Sequence, residues 1–523
     1  METTYIVLLA LLVIYIPLYN YVRKSEEAHE KGFVPYGPTI MIKTSWGLRL
    51  MDRLARHRRF WNVMGHFSLA VSLVLAIIIV SILVIDLSVL PQMFGRTGLG
   101  IEYALAIPGL NPMLPIVYGI IGLVVAMVFH ELAHGIQSRA NDIKVNSSGI
   151  LYGVVPLGAF VEPDEEETEK ASRKARMHVY AAGITTNTII ALFCFAIMFF
   201  AMTSGLTSNH SDTPAVYAMI SDTEAYDLDI DSTSLLIMVD GTPIETEDDL
   251  TDLLRLHADS DIKRYDVTFL HKGDEYVRNM VLGVCVTAIT SGSPAADSGL
   301  EKGAFITYAN NLTTGEEKYF NVPQDFSDFM QGTEPGQTVQ FTYYTYSTET
   351  KDFSGPVVED IVLDSNGSVG FLGVSSTISG ISFITPDAMV QTGINPFYGK
   401  ETLQECAMGV LSFISMPFKG FSPVPESVTW WYDSNTIPDE VFWILIWTIY
   451  WIFWLDIVLG ISNALPALPF DGGLLLVGTL DWIYEKAGVK EEKAREQYVG
   501  ATANVISYSM LGILILVLIA VII

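Results

Sequence analysis

Residues 113–138 read MLPIVYGIIGLVVAMVFHELAHGIQS, and this stretch decides the fold. From Ile116 to Phe129 it carries no charged side chain. A hydrocarbon core of about 30 Å takes roughly 20 apolar residues as a helix, so the run predicts a membrane span. It nevertheless ends in His130-Glu131-Leu132-Ala133-His134. The two histidines are four apart and share one helix face. Two imidazoles so placed can bind one zinc ion, and Glu131 can reach a water beside it. Ionisable groups at membrane depth are expensive and seldom incidental. The alternative, that they snorkel at the end of the span, leaves their ligand spacing without a reason.

The same composition recurs along the chain. Of its 523 residues, 50% are hydrophobic and only 17% charged, against about a quarter charged in soluble domains. The length predicts more than one domain. Apolar runs at 4–21, 66–90, 113–138, 177–204, 441–465 and 499–523 predict a polytopic α-helical membrane protein with about six transmembrane helices. The first run contains Pro17 and no basic segment precedes it, which predicts an uncleaved span. Residues 403–421 are apolar but short and predict an interfacial or re-entrant helix. Residues 473–485 predict a half-depth helix.

Charge orients these spans. Segments 22–65, 139–176 and 466–498 hold nine, six and four of the 30 Lys and Arg residues, whereas 91–112 holds only Arg96. Basic loops face the cytoplasm, so both termini are expected outside. Residues 205–438 carry 34 acidic and 10 basic residues and are expected to be extracytoplasmic. A net charge of −28 argues against nucleic acid and anionic headgroups as partners. Three cysteines are too few for a disulfide framework. Cys194 reads as a small hydrophobe, while Cys285 and Cys406 pair only if the fold joins them.

The exterior segment has a soluble, α+β pattern. Val286–Gly303 runs from a strand through Gly292-Ser293-Pro294-Ala295 to a short helix ending at Gly299-Leu300, which resembles a PDZ domain. Leu235–Ile244, followed by Glu247-Asp248-Asp249-Leu250, is a fainter copy. Two PDZ-like modules are expected at about 213–283 and 284–378, within domains 205–283 and 284–380. Residues 381–438 are then a linker with an interfacial helix. PDZ domains bind peptides, often peptide termini, by adding a strand to a sheet edge; the alternative is bulk that keeps large ectodomains away. Asn209, Asn311 and Asn366 open glycosylation sequons.

Two histidines need a third ligand. Asn463-Ala464-Leu465-Pro466-Ala467-Leu468-Pro469-Phe470-Asp471-Gly472-Gly473 breaks the helix at the end of an apolar run. Freed backbone is tolerated at membrane depth only where protein or a water cavity covers it. Asp471 has no neighbouring cation in sequence, and a zinc ion would satisfy it. The HExxH span, Gly183-Ile184-Thr185-Thr186-Asn187 in the next span and the late Asn-x-x-Pro…Asp-Gly-Gly together resemble the site-2 protease family of intramembrane zinc metalloproteases. The motifs cover roughly 115–200 and 440–490, and a PDZ insertion between them fits as well.

The resemblance implies one zinc ion per chain on His130, His134 and Asp471, with Glu131 as general base. Asn187 matches the position the family places near the scissile peptide, although Ile184 stands where many members have proline. Asn463 either holds the unwound substrate or caps the broken helix. Gly149–Glu162 resembles the family's membrane-associated hairpin, whose edge could pair with substrate; the alternative is a buried connector. The implied substrates are single-span, membrane-tethered proteins, cleaved within or near their spans; the basic loops predict a site toward the cytoplasmic side of the cell membrane. A non-catalytic PDZ scaffold is the chief rival. A transporter would show repeated span patterns, and none is seen.

Overall fold

The computed structural model describes residues 2–45, 47–93, 108, 111–112, 114–153, 156–256, 260–416 and 424–522. The chain folds into two compact units. One comprises Met1–Ala201, Val410–Ser422 and Glu440–Ile523, the other Met202–Gly409 and Pro423–Asp439.

The first unit is built on long helices: α1 (Glu2–Lys24), α2 (Arg58–Met93), α3 (Ile116–Ala140), α4 (Arg173–Gly205), α5 (Asp439–Asn463), α6 (Asp471–Lys486) and α7 (Glu492–Ile522). Among the described residues, α2, α3, α4, α5 and α7 are long and apolar enough to cross a membrane. The chain is therefore an integral membrane protein. The expected first span falls on α1, whose side chains before Leu12 lie outside the described residues. Most of loop 91–112 and residues 417–421 of the expected short helix lie outside them too. The described part of that helix runs Leu403–Ile414, and its Phe413 is buried against Phe195 and Phe453.

Prolines and glycines set the breaks. α3 begins directly after Pro115, whose fixed φ suits a helix entry. α5 stops ahead of Pro466 and Pro469, and α6 restarts at Asp471. The two glycines after Asp471 let α6 lie on that broken segment. A Cβ on Gly472 would stand 2.3 Å from the Ala464 carbonyl oxygen, and one on Gly473 2.5 Å from the Ala467 carbonyl carbon. Leu75 on α2, Ile184 on α4 and Ala464 form a buried contact, as do Leu83, Leu465 and Ala467 with the α7 residues Met510 and Leu514.

The basic loop 22–65, read from sequence only as a loop, contains two strands. β1 (Phe33–Tyr36) and β2 (Thr39–Thr44) join the hairpin β3 (Val145–Tyr152) and β4 (Pro156–Pro163) in an antiparallel sheet of order β1-β2-β3-β4. The Gly149–Glu162 segment is thus a hairpin, and β4 is an edge strand. Lys43 Nζ bonds both Glu162 oxygens, at 2.8 and 2.9 Å, and Ser147 Oγ donates to Oε2 at 2.6 Å. The Lys43 bond and then the Ser147 bond hold the Glu162 carboxyl below the ordinary glutamate range.

The second unit centres on a 12-stranded sheet. Ten strands form its path: β5 (Ala215–Met219), β6 (Leu235–Val239), β7 (Arg264–His271), β8 (Asp274–Val281), β9 (Val284–Ile289), β10 (Phe305–Asn311), β11 (Thr338–Ser347), β12 (Asp352–Val362), β13 (Val374–Ile378) and β14 (Ile381–Ile384). Their spatial order is β8-β7-β6-β5-β14-β13-β9-β10-β11-β12. Two cores lie along it, one around Leu236, Val267 and Phe269, the other around Val286, Ile306 and Phe341. They divide near residue 283, but the division is not sequential. β14, in the segment read as linker, pairs with β5 through Ile381↔Met219 and Ile384↔Ala215. Ile381 enters the first core, as does Val322 from the far side of the boundary. A short apolar strand with so distant a partner carries no local signal of its place.

Cys194, Cys285 and Cys406 are all free, so Cys285 and Cys406 do not pair. Burial pushes the Cys285 thiol up to about 12. Asn209 and Asn366 are exposed, whereas Asn311 is buried with its amide on Gln337 at 2.7 Å.

Candidate metal centre

Helix periodicity puts His130 and His134 on one face of α3, and the restart of the chain after the proline break brings Asp471 to them. Asp471 Oδ2 lies 3.2 Å from His130 Nε2 and 3.2 Å from His134 Nε2, and the two Nε2 atoms are 3.1 Å apart. The side chains are only 8%, 12% and 15% exposed for His130, His134 and Asp471. Among the described residues this is the one trio of His, Cys, Asp or Glu gathered closely enough to hold a metal ion.

The chemistry of the donor set fits a cation. His134 Nδ1 donates to the Val179 carbonyl at 2.7 Å, which fixes the tautomer and leaves the Nε2 lone pair facing the other two atoms. Asp471 Oδ2 is buried and receives no aligned hydrogen bond. Two imidazole nitrogens and a carboxylate oxygen meet in a buried site, an arrangement that is costly unless a positive charge is shared. Zinc ligands at roughly 2.0–2.2 Å in a tetrahedron stand about 3.3–3.6 Å from one another. The observed triangle is slightly tighter, and the residues fit the ion.

Gly183 explains how α4 approaches so closely. A Cβ there would stand 2.5 Å from His134 Nε2 and 2.7 Å from His130 Nε2. Any side chain would occupy the place of the metal ligands. One turn along the same face, Asn187 is completely buried, and neither of its side-chain polar atoms has a partner.

Glu131 connects the centre to the hairpin. Its Oε2 accepts from the Val161 backbone N–H at 2.9 Å. Val161 lies on β4, whose inner neighbour is β3; Glu131 therefore takes up one outward-facing donor of a sheet edge. Nothing in the local sequence links the two. Asn463 Nδ2 donates back to the Leu459 carbonyl at 3.1 Å. That bond matches the helix-capping alternative.

Sequence reading missed a further residue. Asp456 lies in the middle of α5, is completely buried, and has no partner for either carboxylate oxygen. The signal was visible as one acid inside the run Trp451-Ile452-Phe453-Trp454-Leu455-Asp456-Ile457-Val458-Leu459.

A polytopic helical unit with a buried His-His-Asp trio and an adjacent glutamate defines the class of a membrane metallopeptidase. The chain belongs to Peptidase family M50, whose family model matches residues 118–507. That range runs from α3 to α7 and includes the trio. Uncharacterized protein MJ0971 of Methanocaldococcus jannaschii is 33% identical over 205 residues, 39% of this chain and 53% of that one. CPE1693 of Clostridium perfringens, provisionally named a zinc metalloprotease, is 27% identical over 158 residues, 26% of this chain and 45% of that one. The matches span about half the length of these curated relatives.

Proposed function

We propose that the chain is an intramembrane zinc metalloprotease that hydrolyses peptide bonds within or near the spans of membrane-tethered, single-span proteins, as in regulated intramembrane proteolysis. The observation that carries this reading is the convergence of His130, His134 and Asp471 beside Glu131, with His130, Glu131 and His134 on a helix fit to cross a bilayer. His130, His134 and Asp471 hold one zinc ion per chain. When bound, zinc supplies Lewis acidity to the scissile carbonyl and to water.

The remaining steps belong to the protein. A substrate helix hides its peptide groups in its own hydrogen bonds and must unwind before water can attack. The β4 edge offers backbone groups to the unwound strand, next to Val161, whose N–H is held by Glu131. That bond engages Oε2 and leaves Glu131 Oε1 to take the proton of the attacking water. Glu131 then returns it to the leaving amine. Asn187, with its Nδ2 buried and unpartnered, donates to the developing oxyanion. Gly183 keeps the ligand face of α4 clear, and Asn463 caps α5.

The concentration of basic residues in loops 22–65, 139–176 and 466–498 supports a metal centre toward the cytoplasmic side of the cell membrane and a β-rich unit outside it. Its two cores are read as tandem PDZ-like modules that bind peptide termini or exclude bulky ectodomains. The test is Glu131→Gln in full-length protein with a co-expressed membrane substrate. Zinc content stays at the wild-type level and cleavage falls at least about 10²-fold. Equal cleavage would overturn the assignment and favour a non-catalytic scaffold.

A further inference from the structure

Among the described residues of the membrane unit, Asp456 is the buried acid that the metal centre does not use and that no other group satisfies. Its position can be read from its neighbours. A Cβ added to Gly460 would stand 3.4 Å from the Ile184 carbonyl oxygen and 3.5 Å from Asn187 Cβ. Phe453 meets Phe195 with ring centroids 5.8 Å apart. α4 and α5 therefore run antiparallel, and Asp456 falls opposite Ala191, one turn beyond Asn187. Gly183, Asn187 and Ala191 are each four residues apart on α4, and Gly183 abuts the ligand histidines. At 1.5 Å of rise per residue, Asp456 lies about 12 Å along the α4–α5 seam from the metal centre.

The acid finds no hydrogen-bond partner in the seam. Gly460 and Ala191 already permit close packing, and a carboxyl group without partners costs about 1–3 kcal/mol or more in such surroundings. Asn187, one turn away, does not pair with it. Nor is Asp456 part of a second metal site, since among the described residues no such trio forms around it. A group that would satisfy it is a donor brought in from outside. An unwound substrate segment brings backbone N–H donors that must find acceptors away from water. An extended strand rises about 3.3 Å per residue, so 12 Å corresponds to three or four residues.

We propose that Asp456 is a substrate-positioning residue, its carboxyl group accepting a hydrogen bond from a peptide N–H of the unwound substrate three or four residues from the scissile bond. The inference rests on the proteolytic reading above and adds a subsite to it. Because Asp456 is wholly buried in the α4–α5 seam, the two helices would have to part there for the strand to reach it.

The experiment uses full-length protein in lipid nanodiscs and a synthetic transmembrane peptide. Its amides are replaced one at a time by esters within five residues of the scissile bond on either side. With wild type, an ester three or four residues away on one side lowers kcat/KM about tenfold. Asp456→Leu cleaves the all-amide peptide about tenfold less well, with zinc content unchanged and Tm no lower than wild type, and is indifferent to that ester. Asp456→Asn keeps an acceptor and most of the activity. Wild-type activity in Asp456→Leu, or an ester profile with no sensitive position at that distance in wild type, would overturn the proposal alone. A wild type that holds zinc and cleaves no peptide would overturn the proteolytic reading beneath it. If Asp456→Leu fails to fold, a wild-type ester profile without that sensitive position still overturns the proposal, and full ester sensitivity retained in Asp456→Asn supports it.

Discussion

The two units treat buried carboxylates in opposite ways. In the β-rich unit Glu224 is 3% exposed and fully engaged: Arg264 Nη2 lies 2.5 Å from Oε1, and the Val281 N–H donates to Oε2 at 2.8 Å. In the membrane unit Asp471 faces two imidazoles without an aligned hydrogen bond, and neither oxygen of Asp456 has a hydrogen-bond partner. A fold that needs a buried charge only for architecture satisfies it locally. Groups left open in an apolar interior carry a standing cost, and a metal ion or a substrate can repay it. The difference separates structural from functional polarity within one chain.

That contrast can be broken by substitution. The larger effect is expected at Asn187. Asn187→Ala should lower kcat about 10²- to 10³-fold, with zinc retained. The protein should be no less stable, because an unsatisfied amide is removed. Full activity, or a large loss of Tm, would return Asn187 to a packing role. The smaller effect is expected at Glu224. Glu224→Ala orphans the buried Val281 N–H and should destabilise the β-rich unit by about 1–3 kcal/mol, read by thermal melting of the full-length protein. Zinc content should not change. A Glu224→Ala protein as stable as wild type would mean that engagement says nothing about role, and the comparison would fail.

How far the sequence reaches differs between the same two regions. His130 and His134 were legible because helix periodicity is local, and Asp471 because a proline break followed by an acid is unusual in an apolar run. The hairpin around Gly149–Glu162 was legible by resemblance. The strands Phe33–Tyr36 and Thr39–Thr44 were not, because the sheet that holds them is completed by Val145–Tyr152, which pairs with Thr39–Thr44 from more than a hundred residues away. Ile381–Ile384 escaped for the same reason, since it completes a sheet begun at Ala215. The bond from Val161 to Glu131 joins a strand edge to a helix, and no one-dimensional pattern encodes that geometry. Asp456 is a different case. Its signal was present, but it sat in a segment already explained as a span.

The most direct test is the zinc content of purified full-length protein and of Asp471→Ala, measured by elemental mass spectrometry after dialysis against a weak chelator. We predict close to one zinc per chain in the wild type and almost none in the variant, because two imidazoles alone leave the ion without its carboxylate. Equal zinc in both proteins, or none in the wild type, would contradict the claim that His130, His134 and Asp471 form the metal centre.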